Sequence, residues 1–463
     1  MAEEKSKVSK ADYGKLAGIV GDEHITDALE DRICYSYDGT KQKALPDVVI
    51  KPGTTDEIAA IMALANDEEI PVYARGAGSG LTGGSVPLEG GIVMDFHRMD
   101  RILEINKVDM LAVVEPGVVM ADFQREVEKQ GLFYPPDPAS ADVATMGGSV
   151  AECAGGLRGV KYGVTKDYII ALEVVLADGE VIHTGAKTFK SVTGYDLTKL
   201  FVGSEGTLGI ITQITVRLIP LPESLRSVVA IFDDTNKATD AAMTVCEEGI
   251  VPRALEFMDE HAIAAVRDYI QVDLPDAAQA ILFCDVDGNA SATEAEQQRV
   301  REICREAGAI DIRSAEGAAE REQQWEIRRS ISPALYKIAP NKMNHDVCVP
   351  RSKVRELMRW LDGLTDQAAV PVIRFAHIGD GNIHVNFMFD HSDEQKGEAE
   401  RLSKKLFTKV VELDGTLTGE HGVGNRKSKY LPIEIPPREL ALMKEIKTLL
   451  DPKGILNPGK MFS

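Results

Sequence analysis

Two short runs carry side chains able to do chemistry, and their spacing is what makes them candidates. The first is Arg374-Phe375-Ala376-His377-Ile378-Gly379-Asp380-Gly381-Asn382-Ile383-His384-Val385-Asn386-Phe387. Apolar, β-prone residues flank Gly379-Asp380-Gly381-Asn382, the composition of a hairpin closed by a four-residue loop. With Ile378 and Ile383 closing that loop, His377 and His384 become a directly opposed cross-strand pair, their Cβ atoms roughly 5 Å apart on one face. Two imidazoles so placed can share a divalent cation, and a carboxylate from elsewhere completes an open site of three protein ligands. The second run, Gly419-Glu420-His421-Gly422-Val423-Gly424, offers that carboxylate and a further histidine. Its glycines let backbone lie close against a ligand. The competing reading makes the hairpin histidines ordinary surface side chains beside a tight turn. The paired spacing favours the metal.

A third run, Arg75-Gly76-Ala77-Gly78-Ser79-Gly80-Leu81-Thr82-Gly83-Gly84, contains G-x-G-x-x-G at Gly78, Gly80 and Gly83. A dinucleotide fold would need a crossover helix before the next strand. Ser85 to Gly91 holds Pro87, Gly90 and Gly91 and leaves no room for one. The run reads instead as a loop of exposed N–H groups with Arg75 beside it, a nest for a pyrophosphate, or more blandly as a structural turn. Tyr134-Pro135-Pro136-Asp137-Pro138-Ala139-Ser140 is too proline-rich for helix. The runs Ala144-Thr145-Met146-Gly147-Gly148-Ser149 and Ala154-Gly155-Gly156 would let a planar or anionic ligand approach the main chain.

These stretches need a large scaffold. At 463 residues the chain should hold two or three domains. A net charge of −21 argues against nucleic acid and anionic membranes as partners. Met1 to Lys10 lacks an apolar core for a signal peptide, and no apolar run approaches the length of a membrane span. The most apolar stretch, Tyr168 to Ala177, carries Glu173 and reads as a buried strand. A cytoplasmic location is expected. The six cysteines (34, 153, 246, 284, 304, 348) show no Cys-x2-Cys pair, so neither a disulfide framework nor an iron–sulfur cluster is indicated.

Along the chain, residues 1–15 are expected to be mobile. A strand at 46–50 leads into a helix opened by Thr54-Thr55-Asp56-Glu57. Strands at 92–96, 102–106 and 111–114, a helix near 120–130, and strands at 168–177 and 181–184 follow. Near Pro220-Leu221-Pro222 glycine thins out, and strands begin to alternate with amphipathic helices. A domain boundary belongs there, giving segments 16–221, 222–425 and 426–463. Ser291-x-x-Glu294 predicts a capping box. Trp325, Arg328 and Ser332 share one helical face. The tail Leu450 to Lys460 is too rich in Pro and Gly for helix and should dock back on the core. His97, His183 and His345 read as structural.

Taken together, these motifs resemble the FAD-linked oxidases with the vanillyl-alcohol-oxidase (PCMH) type of FAD domain, over about Pro46 to Phe462. Within that family the likeness is to the D-lactate dehydrogenase, glycolate oxidase large subunit and D-2-hydroxyglutarate dehydrogenase group. Arg75, Gly76, Ala77, Gly78, Ser79, Gly80 and Leu81 match the pyrophosphate loop. Pro136, Asp137, Ser140, Thr145, Gly147, Gly148, Ala154, Gly155, Gly156 and Ile210 match flavin-lining positions, and Asn457-Pro458-Gly459-Lys460 matches the C-terminal signature. His377-x2-Asp380-Gly381-Asn382-x-His384 with Gly419-Glu420-His421-Gly422 is the most specific feature.

The resemblance implies an α+β chain. A PCMH-type FAD domain of two α+β subdomains (16–221) would be joined to a substrate domain with an antiparallel sheet covered by helices (222–425). The segment 426–463 would pack against the FAD domain. It further implies non-covalent FAD, since the glycine loop lacks the His or Cys of covalent members, although Cys153 lies near the second stretch. His377, His384 and Glu420 would ligate a divalent metal, zinc by expectation, and His421 would be the general base. Arg328, Ser332, Lys342 and Asn386 would meet the substrate; Lys337 is the less favoured alternative to Lys342, and the spacing before Asp346-Val347-Cys348 departs from the family pattern.

The activity implied is oxidation of D-lactate, with glycolate and D-2-hydroxyglutarate as runners-up. Electrons would pass to a quinone, a cytochrome, an electron-transfer flavoprotein or an iron–sulfur subunit, and the chain could form a homodimer. Two other classes compete. A non-redox FAD transferase like alkyl-dihydroxyacetone-phosphate synthase should show a membrane-facing surface, which −21 does not suggest. A flavin-free metal hydrolase would leave the Arg75 loop unexplained.

Overall fold

The computed structural model describes residues 6–40, 42–315 and 317–462. Its first sheet is built from apolar runs buried on both faces, as parallel strands require. The strands β1 (Ile25–Thr26), β2 (Val48–Ile50), β3 (Val72–Arg75) and β4 (Ile92–Asp95) lie in the order β1-β2-β4-β3, with β4 parallel to both β2 and β3. Thr54 caps helix Thr55–Asp67 by accepting from the Glu57 N–H, and Ile58, Ile61 and Met62 pack on the sheet. Between β3 and β4 the chain forms no helix.

Of the stretch expected to be mobile, residues 1–5 lie outside the described residues, and the remainder is folded. Ser9 caps helix Lys10–Val20, and Val8 and Leu16 are buried in the same core.

A second sheet follows, from β5 (Ile102–Asn106), β6 (Leu111–Val114), β8 (Ile169–Val175), β9 (Val181–Gly185) and β10 (Ile210–Arg217), all antiparallel in the order β5-β6-β10-β8-β9. The short β7 (Leu132–Phe133) and β11 (Ile219–Pro220) pair with each other.

The third sheet carries the hairpin. Its strands are β12 (Ser224–Phe232), β13 (Ala254–Asp259), β14 (Ala280–Gly288), β15 (Asp311–Ala315), β16 (Asn341–Cys348), β17 (Val372–His377) and β18 (Asn382–Phe389). They run antiparallel in the order β15-β12-β14-β13-β17-β18-β16. Side chains alternate between its faces. Leu255, Val347, Ala376, Ile383, Val385 and Phe387 pack under helices Thr235–Glu247, Ala290–Glu306, Val354–Gln367 and Asp393–Glu412. The opposite face presents Met258, Ile373, Phe375 and Met388 to Trp325, Ile331 and Leu335. Glu256, Asp346, His377, His384 and Asn386 share this second face by the same alternation. The fold is thus α+β, with an antiparallel sheet covered by helices.

Three local expectations need correction. The hairpin turn is Ile378–Gly381, one residue earlier than predicted, so His377 faces Asn382 and His384 faces Phe375. Gly381, at φ 85°, supplies the turn's left-handed residue, and its carbonyl accepts from Val349 N–H. The two histidines are therefore diagonal neighbours, still on one face. Ser291 lies inside helix Ala290–Glu306, whose N-cap is Asn289, because the strand before it ends at Gly288 (φ 147°). Helix Ala318–Arg329 stops short of Ser332, which belongs to a separate turn, Ile331–Ala334. Pro333 has no N–H for the carbonyl of Arg329, so the two segments do not merge.

The tail closes the first sheet. Ile455 accepts from Val72 N–H and Asn457 donates to Val72 carbonyl, so the segment runs parallel beside β3. Asn457 Nδ2 donates to the carbonyls of Gly84 (2.9 Å) and Glu205 (2.7 Å).

Candidate active site

Glu420 is the point on which three imidazoles converge. Its Oε1 lies 3.5 Å from His377 Nε2, 3.3 Å from His384 Nε2 and 3.6 Å from His421 Nε2. Donor atoms of His377, His384 and Glu420 all lie within 4.8 Å of one another. Two nitrogens and a carboxylate at that spacing are the donor set of an open zinc-type site.

One of the two imidazoles is already in the ligating form, and the other carries a proton that a metal would have to displace. Burial brings His384 down to about 4, so its ring is neutral, the ligating form. Burial also opposes charge on His377, yet Glu256 and Glu420 on either side outweigh it and hold its pKa well above the imidazole range. Burial would raise Glu420, but His377 and His384 hold it well below the carboxylate range. A divalent cation fits where the His377 proton now balances Glu420.

Each of these groups is oriented from behind. Glu256, on β13 opposite His377, contacts His377 Nδ1 at 2.6 Å, which leaves Nε2 for the site. A carboxylate behind a ligating histidine fixes tautomer and ring plane. The same carboxylate accepts from Arg328 Nε (3.0 Å) and Nη2 (2.7 Å), and the Arg328 guanidinium lies over the Phe375 ring at 4.8 Å. Phe375 in turn stacks on His384.

Asp346, fully buried and paired with His384 in the sheet, holds the glycine-rich loop. Its Oδ2 accepts from the N–H groups of Gly419 (3.1 Å), Glu420 (2.9 Å) and His421 (2.8 Å) and from Thr418 Oγ1 (2.9 Å). Its Oδ1 accepts from Lys427 Nζ and lies 3.2 Å from His421 Nδ1. A neutral His421 then carries its proton on Nδ1 and turns the basic Nε2 inward.

Beside this group opens a cleft, reached by both Glu420 and His421. Of the residues predicted for the cofactor, Arg75, Gly76, Ala77, Gly78, Ser79, Gly80, Leu81, Ser140, Thr145, Gly147, Gly148, Ala154, Gly155 and Asn457 line it. Pro136, Asp137, Gly156 and Ile210 do not. Ile210 points into the first-sheet core while its neighbours Gly209 and Ile211 face the cleft, the alternation of a strand. Asp137 pairs with Arg158, and its carbonyl would lie 1.9 Å from a Cβ on Gly156, which explains that glycine as a close backbone crossing. Arg75 donates to Tyr37 carbonyl (2.7 Å) and Ser85 Oγ (3.3 Å), bracing the loop.

The cleft fits a cofactor with polar atoms that lies against bare main chain. A Cβ on Gly76 would meet Thr145 Oγ1 at 2.3 Å, so the wall approaches as bare backbone. Ser149 Oγ and Asn457 Oδ1, both in that wall, are buried without partners. Cys153 is absent from the lining, and His421 is the only histidine in it among the described residues.

The predicted substrate residues separate into two groups. Arg328 reaches the histidine cluster through Glu256, and buried Asn386 lies two residues beyond His384 on the same face, accepting from Asn344 Nδ2 (2.8 Å). Ser332 is exposed and accepts from Lys342 Nζ at 3.0 Å; Lys342 lines a neighbouring hollow with Arg426 and Lys429. His97 and His183 contact Asp95 and Glu173 respectively, and His345 contacts Ser403 Oγ at 2.6 Å.

Sequence reasoning missed Glu256, Asp346 as organiser, and Lys427. The signal was present in Ala254-Leu255-Glu256-Phe257-Met258 and in Asp346-Val347-Cys348, where one acid interrupts an apolar strand; a buried charge demands a partner.

Comparison with known proteins gives the family of the chain that carries this site. The family description "FAD linked oxidases, C-terminal domain" matches residues 221–461, and "FAD binding domain" matches residues 46–185. The chain belongs to the FAD-linked oxidases. It is 41% identical to the glycolate oxidase subunit GlcD of Bacillus subtilis, over 97% of this chain and 96% of that one. It is 35% identical to a D-lactate dehydrogenase of Anaerostipes hadrus, over 96% and 94%. The p-cresol methylhydroxylase structure with substrate bound shares the fold at TM-score 0.80 and 17% identity, covering 98% of each chain. The protein is an FAD-linked oxidoreductase of the GlcD and D-lactate dehydrogenase type. Among the described residues, no helix is long and apolar enough to cross a membrane.

Proposed function

We propose that the chain oxidises a small D-2-hydroxy acid to the 2-oxo acid, with D-lactate as the first candidate, non-covalent FAD in the cleft and a divalent metal, zinc, at His377, His384 and Glu420. The observation that carries this is His421, whose Nδ1 is held by buried Asp346 and whose Nε2 meets the metal-type group at the edge of the cleft.

When bound, FAD supplies a two-electron acceptor for the hydride leaving C2, and the metal supplies positive charge that lowers the pKa of the substrate hydroxyl. The remaining work is done by side chains. His421 Nε2 takes the hydroxyl proton, and Asp346 stabilises the imidazolium that results. Arg328 engages Glu256 through Nε and Nη2, leaving Nη1 for the substrate carboxylate, a needed local cation in a chain of charge −21. Asn386 and the Phe375 ring, on the His384 face of the sheet, are the candidates to meet the side chain at C2, with Lys342 and Ser332 farther off at the neighbouring hollow. All six cysteines are free, and their scatter supports a separate electron acceptor, an electron-transfer flavoprotein, quinone or iron–sulfur subunit, reached from the cytoplasm.

A second reading, glycolate as substrate, is favoured by the 41% identity to a glycolate oxidase subunit. Anaerobic titration of the metal-replete protein separates them: bleaching of the flavin band by D-lactate but not L-lactate or glycolate supports the first reading. Bleaching by glycolate alone selects the second. A band untouched by either, and by D-2-hydroxyglutarate, refutes the class.

A further inference from the structure

Glu152 ends helix Met146–Glu152 and lines the cofactor cleft, yet nothing in the mechanism uses it. Its Oε2 is buried and has no hydrogen-bond partner. A second carboxyl group shares the space. A Cβ on Gly422 would lie 2.8 Å from Glu205 Oε1 and 2.9 Å from Glu152 Oε2, so both acids converge beneath the His421 loop.

The two are not equivalent. Glu205 accepts the N–H groups of Val423 and Gly424, each at 2.7 Å, which favours its ionised form. Burial pushes Glu205 up, and those donors with Lys427 and Lys460 pull against it. Glu152 has no such donors. Burial first, then Glu205 and Asp38, hold it well above the carboxylate range, with Lys460 opposing. Lys460 is itself committed, donating to Val86 carbonyl at 2.7 Å. Two carboxyl groups converging on one buried space disfavour charging both, and the hydrogen bonds favour the charge on Glu205.

We propose that Glu152 is a neutral carboxylic acid whose O–H donates to the group held in the cleft. The cofactor then meets a donor there and no fixed negative charge, which would oppose the two electrons arriving with the hydride. This rests on the FAD reading of the cleft.

Glu152→Gln keeps a neutral donor of the same shape, and Glu152→Ala removes it. The readouts are FAD dissociation from the apoprotein and the midpoint potential of the bound flavin. E152Q should match the wild type in both, whereas E152A should bind FAD roughly tenfold more weakly, the scale of one buried hydrogen bond. A potential that rises in E152Q would mean a charge had been removed and would overturn the proposal. E152A matching the wild type in both would do the same. Where E152A fails to fold, infrared difference spectra of wild type against E152Q decide: a protonated-carboxyl band lost in E152Q supports the proposal, and its absence from the wild type overturns it. Wild-type protein that takes up no FAD would sink the cofactor reading separately, before any variant is made, and the infrared band would still report the protonation state.

Discussion

Asp346→Asn removes one charge from a carboxylate that is wholly buried and accepts from three backbone N–H groups, Thr418 and Lys427. An Asn carbonyl can still serve the loop N–H groups, but its NH2 must then face Lys427 and His421. Lys427, only 4% exposed, loses the carboxylate it contacts and keeps only the charge of Glu205 nearby, and breaking a buried pair from one side costs about 3–5 kcal/mol. Denaturant unfolding at constant temperature should show that loss. The same NH2 favours the wrong His421 tautomer, with the proton on Nε2, so flavin reduction by substrate should fall roughly 10²–10⁴-fold in stopped-flow measurements. Adding Lys427→Met should return much of the stability and none of the rate. Burial pushes Asp346 up, but His421 and Lys427 hold it well below the carboxylate range; its contribution is therefore present above the ordinary Asp pKa and lost as pH falls, and the variant's acid limb should flatten. D346N within about 1 kcal/mol of wild type and with an unchanged reduction rate would refute the reasoning, since a mere surface loop would behave that way.

Glu256→Gln should weaken metal binding about 10–100-fold, read by competition with a chelator, while FAD stays bound. Burial lowers His345 to about 3, so its folded pKa lies below its unfolded value. The stability it adds is complete above about pH 6.5 and is lost on acidification toward pH 3, at up to about 1.4 kcal/mol per unit. In His345→Phe the urea midpoint should depend less on pH across that window. Gly155→Ala would place a Cβ 2.9 Å from Glu420 Cβ and Oε2; metal content should drop while the protein remains folded, and an unchanged metal content would show that Glu420 is not held there.

The sequence alone showed the site best where chemistry and geometry were both local. His377 and His384 are seven residues apart on one hairpin, and a register error of one residue at each end left them on the same face, because a strand's face repeats every two residues. Glycine runs likewise pointed to the cleft wall, while Asn457 in the tail came only from the family resemblance. What the sequence hid were partners brought from other strands. Glu256 meets His377 across β13 and β17, and Asp346 meets the Gly419–His421 loop from the sheet edge; neither pairing leaves a periodic trace. Ile210 failed for a related reason, since Gly209 and Ile211 are indistinguishable from it until the strand's phase is known.

The tail segment beside β3 has a consequence for how the protein is made. Asn457 bonds a carbonyl 373 positions earlier, at Gly84, and Lys460 bonds one 374 positions earlier, at Val86. A ribosome delivering this chain exposes β3 as an open edge long before residues 455–460 emerge to cover it. The cleft wall therefore matures last, after the metal-type centre can already assemble, and loading with nucleotide becomes a late checkpoint on nascent chains. A stall or nick near residue 450 would leave the His377, His384 and Glu420 group in place while the cleft wall lacks Asn457 and β3 lacks its cover.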